Sequence, residues 1–86
     1  MKQTKATDYA LHTVAYMIGH STDENMSVHV LAEHFNVSPT YLSKILTQLS
    51  KAGIIGSTSG VKGGYILSRN PQEITFFDVI QAIEGN

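Results

Sequence analysis

Cysteine is absent from the 86 residues. That excludes disulfides, thiol catalysis, a zinc ribbon and a cysteine-held iron–sulfur cluster within this chain, so no cofactor is expected in it; the absence also fits a reducing compartment such as the cytoplasm. Long apolar runs are missing too. The longest falls far short of the roughly 20 residues that cross a bilayer, so no membrane span is expected. Lysines precede an apolar segment near the N-terminus, but His12 and Thr13 interrupt it and no small-residue cleavage site follows, which argues against a signal peptide. Charged residues make up only 15% against 42% apolar, the balance of a globular chain rather than a disordered one. At this length one hydrophobic core is expected, hence a single domain over residues 1–86.

A further shortage is local. Net charge is −1, which argues at first against a polyanionic partner. Its distribution reverses that impression. The acids are Asp8, Asp23, Glu24, Glu33, Glu73, Asp78 and Glu84, and none lies between His34 and Gln72. That window holds Lys44, Lys51, Lys62 and Arg69, four of the six cationic side chains, with no carboxylate nearby in sequence to neutralise them.

Hydrophobic spacing divides the chain into short elements. Leu11, Val14, Ala15 and Ile18 recur at i, i+3, i+4, i+7 and predict a first helix over about 7–19, capped by Thr7 or Asp8 and stopped by Gly19. His20 to Met26 is polar and turn-rich, a loop. Ser27 offers a cap oxygen to a second helix over 28–35, whose apolar stripe is Val28, Leu31, Ala32 and Phe35. Asn36 tolerates the left-handed backbone that a sharp reversal needs. Ser38-Pro39 then supplies a cap and a first-turn proline for a third helix over 39–52, with Leu42, Ile45, Leu46, Leu49 and Ala52 inward and Gly53 as its stop. Two β-rich runs around Gly60, Gly63 and Gly64 predict a hairpin over about 54–68. Asn70-Pro71 breaks the chain before a last helix over 75–84, with Thr75 and Asp78 spaced as a capping box and Phe76, Val79, Ile80 and Ile83 as its stripe.

Helix, tight turn, helix over residues 28–46 satisfies the packing rules of a helix-turn-helix: a small residue, Ala32, at the close approach, Phe35 and Val37 beside the turn, Leu42 and Ile45 closing the contact. Removing the inward positions leaves Thr40, Tyr41, Ser43, Lys44, Thr47, Gln48 and Lys51 on the outer face of the third helix. All are hydrogen-bonding or cationic and none is a carboxylate. Such a face suits the major groove of double-stranded DNA, where lysines neutralise phosphate while hydroxyls and amides sort bases or fix register. The hairpin would form a wing on the adjacent groove, offering Lys62 and the backbone amides of Gly60, Gly63 and Gly64 to phosphate. A nucleotide-cradling loop is disfavoured, because no Lys-Ser/Thr pair follows those glycines and no helix starts there. The fold expected is mainly α with a small β-hairpin, a winged helix-turn-helix.

These residues also resemble a known family. Leu42 through Leu49, Gly53-Ile54-Ile55, Ser57, Gly60, Gly63-Gly64-Tyr65-Ile66-Leu67, Glu73-Ile74-Thr75 and Ile83-Glu84-Gly85 are similar to the IscR/NsrR/CymR type of bacterial winged-helix transcriptional regulators (the "Rrf-two" family), and Tyr9-Ala10-Leu11 fits its opening pattern. The resemblance implies sequence-specific operator binding, usually as a homodimer on a palindrome. Carried over by position, it places Ser38, Thr40, Tyr41, Ser43 and Lys44 on DNA from the recognition helix, and the loop from Ser59 through Lys62 and Gly63 to Tyr65 from the wing. Members often have arginine where this chain has Ser59, which leaves Lys62 as the wing's cation. Members usually continue past the Glu84-Gly85 point into a cysteine-bearing sensor loop and a long dimerisation helix, so the resemblance is to the DNA-binding portion.

Other chemistries find less support. His29 and His34 are five apart, a spacing that does not stack them on one helical face, and no His-Glu-x-x-His pattern exists. No nucleophile, base and orienting group recur in a catalytic pattern, so an enzyme is not expected. Winged helices also serve as protein-docking modules, and the low overall positive charge favours that alternative. The acid-free window favours DNA.

Overall fold

A computed structural model describes residues 4–20, 25–60 and 63–85. In chain order the elements are α1 (Lys5–Gly19), α2 (Val28–Phe35), α3 (Pro39–Lys51), β1 (Ile55–Thr58), β2 (Gly64–Leu67), a single 3-10 turn at Pro71–Glu73 and α4 (Phe76–Glu84). The architecture is four helices with one antiparallel hairpin, a winged helix-turn-helix.

The helix-turn-helix forms for local reasons. Ser27 caps α2 by accepting from the Val30 amide at 3.1 Å, and Ser38 caps α3 by accepting from the Tyr41 amide at 3.0 Å. Between them Asn36 sits at φ 57°, ψ 48°, the left-handed conformation that its short polar side chain tolerates. Val37 donates back to the Ala32 carbonyl at 3.0 Å and so completes the end of α2. Leu31, Ala32, Leu42, Ile45, Leu46 and Leu49 are buried together, with Ala10, Val14 and Met17 from α1, Ile54 and Ile55 from the hairpin and Val79 from α4. α3 ends in a Schellman turn: Gly53 donates to Ser50 O at 3.0 Å, Ile54 to Leu49 O at 3.1 Å, and Gly53 takes φ +79°.

α1 differs from its periodicity. It starts at Lys5, capped by Thr4, whose side chain accepts from the Thr7 amide. Thr7 is therefore not the cap but a fully buried residue inside the helix. Its hydroxyl donates to Glu84 Oε2 at 2.5 Å, and the same oxygen accepts from the Thr4 amide at 3.0 Å. This clasp joins residues some eighty positions apart, beyond the reach of any local pattern. The buried line of α1 is Thr7, Ala10, Thr13, Val14 and Met17, turned by roughly 90° from the Leu11–Val14–Ala15–Ile18 stripe at 100° per residue. Thr13 enters the core because its hydroxyl donates to Tyr9 O at 2.7 Å and leaves only its methyl to pack.

α4 turns the same way. Thr75 and Asp78 close their capping box, but Val79, Ala82 and Ile83 face the core while Phe76 is 80% exposed and Phe77 60%. The two apolar stripes that the sequence assigns to the core are thus divided: Val14, Val79 and Ile83 pack inside, while Ala15, Ile18 and Phe76 are exposed along a shallow groove between α1 and α4 that Leu11 also lines. Rings knit the other side of α1 to the helix-turn-helix, with Tyr41 edge-on to Tyr9 at 5.9 Å, Tyr9 to Phe35 at 6.5 Å and Phe35 to Tyr16 at 5.8 Å. His20 and His34 each lie 4.0 Å from the Tyr16 ring.

The Thr7 hydroxyl, and after it the Thr4 amide, hold the Glu84 carboxyl below the usual carboxylate range. A carboxylate depressed by folding contributes stability at neutral pH, and that contribution disappears as pH falls through its folded value. Glu84→Gln is expected to lower the melting temperature at pH 7 and to melt with the parent at pH 3. Circular dichroism melts across that range check it; an unchanged melt at pH 7 would show the clasp to be neutral.

Candidate nucleic-acid interface

α3 is split lengthwise. Leu42, Ile45, Leu46 and Leu49 are 0–2% exposed. On the opposite side Thr40, Lys44, Thr47 and Lys51 fall within a band about 60° wide at 100° per residue, all of them exposed, with Ser43 and Gln48 flanking it. No carboxylate stands on α3. Lys44 and Lys51 lie seven residues apart, about 10 Å along the axis, on the same ridge. At the N-terminal end, Val28 of α2 joins Pro39, Thr40, Ser43 and Lys44 around an open hollow of about 370 Å³.

The structure sorts the individual side chains. Thr40, Lys44, Gln48 and Lys51 project into solvent. Ser38 Oγ is engaged as the α3 cap, with its own hydrogen still available to donate. Thr47 donates its hydroxyl hydrogen to Ser43 O at 2.8 Å, so outward it offers acceptor lone pairs and a methyl. Tyr41 is half-buried against Tyr9, so its ring braces the helix.

The wing is tied down more firmly than its glycines suggest. β1 pairs with β2 in the register Ile55↔Leu67, Gly56↔Ile66, Ser57↔Tyr65 and Thr58↔Gly64. Met26, on a segment whose composition reads as loop, forms a bridge to β2: its amide donates to Tyr65 O at 2.8 Å and accepts at its carbonyl from the Tyr65 amide at 2.8 Å. Asn25 Nδ2 donates to Thr58 Oγ1 at 3.1 Å. Gly64 follows from this closeness, since a Cβ there would lie 2.6 Å from the Met26 carbonyl oxygen. The expectation that the glycine amides face phosphate needs correction at two positions. Gly63 donates to Gly60 O at 3.0 Å and Gly64 to Thr58 Oγ1 at 3.1 Å, so both amides are engaged within the hairpin. Ser59 and Gly60 are exposed near the tip, Tyr65 is half-buried against the core, and Lys62 lies outside the described residues. Arg69, counted by the sequence among the window's unpaired cations, is paired with Asp78 at 3.3 Å.

This four-helix fold with its hairpin is shared with known proteins. The family profile described as "Rrf2: Iron-dependent Transcriptional regulator" matches residues 3–86. The chain belongs to the Rrf2 family. Among curated relatives, the HTH-type transcriptional regulator NsrR of Halalkalibacterium halodurans is 34% identical over 86 residues, covering 100% of this chain and 59% of that protein. Protein rrf2 of Nitratidesulfovibrio vulgaris is 33% identical over 84 residues, 98% of this chain and 56% of its own length. Among solved structures, CymR, the global cysteine regulator of B. subtilis, superposes with a TM-score of 0.87 at 30% identity, over 100% of this chain and 67% of CymR. IscR of T. potens gives 0.87 at 32% identity over 99% and 62%. The chain thus spans little more than half the length of these curated relatives.

The family's description names iron. Cysteine is absent from the 86 residues, and the described residues hold no group of three His, Asp or Glu side chains that could bind a metal ion, so those residues by themselves do not fit an iron or iron–sulfur group. Sequence patterning missed Asn25 and Met26, the anchors of the wing, because a single bridging residue has no periodicity.

Gly64→Ala is expected to push β2 off Met26. The urea midpoint should fall by an amount equivalent to about 1–3 kcal/mol, and the Met26 and Tyr65 amides should exchange faster. Gly19→Ala, where nothing lies within 4 Å of the added carbon, is the control and should not lower the midpoint. Equal behaviour of the two variants would contradict the tethered wing.

Proposed function

We propose that this Rrf2-family chain is the DNA-binding part of a bacterial transcriptional regulator, with α3 in the major groove of double-stranded DNA and the wing on the adjacent groove or backbone. The observation that carries the reading is the outer face of α3, which holds Lys44 and Lys51 on one ridge with hydroxyl and amide groups around them and no carboxylate. Lysines contribute sequence-independent phosphate contacts whose strength falls with salt. Thr40 and Ser43, in the first turn and a half, stand where a recognition helix meets base edges. Relatives named as HTH-type transcriptional regulators support the reading. It needs no catalytic group and no cofactor held by these residues. Among the described residues no helix is long and apolar enough to cross a membrane, which accords with work on cytoplasmic DNA. The protein-docking alternative would leave the lysine ridge without a polyanion to meet.

Lys44→Ala and Lys51→Ala are each expected to weaken binding to every duplex and to reduce the log–log salt slope by about 0.9. Thr40→Ala or Ser43→Ala should leave that slope alone and relax preference at particular base pairs by about 1–3 kcal/mol. Mobility shifts over a randomised duplex library read both. A flat salt response in the parent chain would point to protein docking instead.

Operator recognition in this reading uses two copies of the regulator. The exposed apolar surface of Ile18 and Phe76 supports self-association, because exposed apolar patches commonly mark interfaces. Sedimentation equilibrium of the 86-residue chain should show a dimer that Phe76→Ser shifts toward monomer; monomer alone at millimolar concentration would remove this face from the interface.

A further inference from the structure

Arg69 is a cation of the acid-free window, yet each of its three nitrogens donates to an acceptor inside the fold. Nη2 donates to Ala52 O at 2.9 Å, Nε to Gly53 O at 3.2 Å and Nη1 to Asp78 Oδ2 at 3.3 Å. The two carbonyls belong to the closing turn of α3. The carboxylate oxygen also accepts from the Thr75 amide at 3.1 Å, as one half of the α4 capping box. One planar group leaving the hairpin therefore joins the end of the helix that faces DNA to the beginning of α4.

We propose that Arg69 is a positioning residue for DNA recognition: it fixes the C-terminal end of α3 against α4, so that the seating of α4 is transmitted to Gln48 and Lys51. This rests on the DNA reading given above. The side chains of Arg69 and Asp78 are 35% and 31% exposed, and an ion pair so placed contributes little as a charge interaction alone. Its value is directional. A guanidinium presents donors in a rigid fork, and here that fork reaches three acceptors on two elements at once. It stands beside an open cleft of about 590 Å³ between the end of α3 and the outer face of α4, lined by Gln48, Lys51, Phe77 and Gln81, where side chains of the two helices do not fill the space. The other end of α4 is held by Glu84 to Thr4 and Thr7. With that end held, a shift of α4 is felt at Asp78 and reaches Ala52, the residue next to Lys51.

The test uses the 86-residue chain with Arg69→Gln, Arg69→Lys, Asp78→Ala and the Arg69→Gln/Asp78→Ala pair. Alanine at 78 removes the oxygen that accepts from both Arg69 Nη1 and the Thr75 amide, whereas the Arg69 variants leave the α4 cap in place. The probe is a duplex that the parent selects from a random-sequence pool, titrated against sodium chloride, with amide exchange followed in parallel. Each single variant is expected to lose about 2–30-fold in affinity, the pair no more than the worse single, and the salt slope to stay at the parent value. Arg69→Lys should behave like Arg69→Gln, since an ammonium keeps the charge and loses the fork. The Gly53 and Ile54 amides should exchange faster in all variants. A slope reduced by about 0.9 in Arg69→Gln would make Arg69 a phosphate contact and overturn the proposal; so would parental affinity in the single variants, or rescue by lysine. Should the parent itself bind no duplex, the DNA reading fails, and exchange at Gly53 and Ile54 still decides whether the latch exists: parental rates there would remove it.

Discussion

Everything in this small protein depends on α3 being half core and half surface. α1, α2, α4 and β1 all pack on it, and Leu42, Ile45, Leu46 and Leu49 are the residues they meet. Burying such side chains contributes roughly 1.5–3 kcal/mol each, so the helix cannot rotate about its axis without losing the core. That constraint aims its other face. Thr40, Lys44, Thr47 and Lys51 project outward because the four aliphatic residues opposite them have nowhere else to go. Precision at the surface is inherited from packing inside.

The ends of the helices are set by side chains rather than by bulk. Thr4, Ser27, Ser38 and Thr75 each accept from a backbone amide three residues on, an interaction worth about 1 kcal/mol apiece. In a chain of 86 residues, whose core is limited by its surface-to-volume ratio, these local bonds determine where each helix begins. Long-range clasps then tie the ends together: Glu84 to Thr4 and Thr7, Met26 to Tyr65, Arg69 to Ala52, Gly53 and Asp78. α3 is held at its start by Ser38 and at its finish by Gly53 and Arg69. Its position relative to the wing is set through Ile54 and Ile55, which leave α3 directly into the core.

Much of this was legible before any coordinates. The bounds of α2 and α3, the left-handed Asn36, the Gly53 stop and the Thr75–Asp78 box all follow from residues within about five positions of one another, where capping and turn chemistry act. The outer face of α3 was legible for the same reason, because a 3.6-residue period separates its two sides without reference to a partner. The apolar faces of α1 and α4 were legible only in part: Val14, Val79 and Ile83 do pack inside, whereas Ala15, Ile18 and Phe76 do not. Each helix carries more apolar residues than one stripe can bury, and the periodicity of Leu11 to Ile18 is as regular as that of the line that is inside. Which of two regular lines is buried depends on the neighbouring helix.

By itself, then, the amino-acid order determined the helix-turn-helix, the hairpin and the carboxylate-free ridge of α3, since each is written in short-range patterns of cap, turn and period. Tertiary structure alone decided which flank of α1 and α4 meets the core, that Met26 anchors the wing, that the Gly63 and Gly64 amides are consumed within it, and that Arg69 is a structural tie instead of a spare charge. The physical reason is range. Capping and periodicity are properties of neighbouring residues, whereas a hydrogen bond between Thr7 and Glu84, or between Arg69 and the end of α3, exists only after distant segments have been brought together.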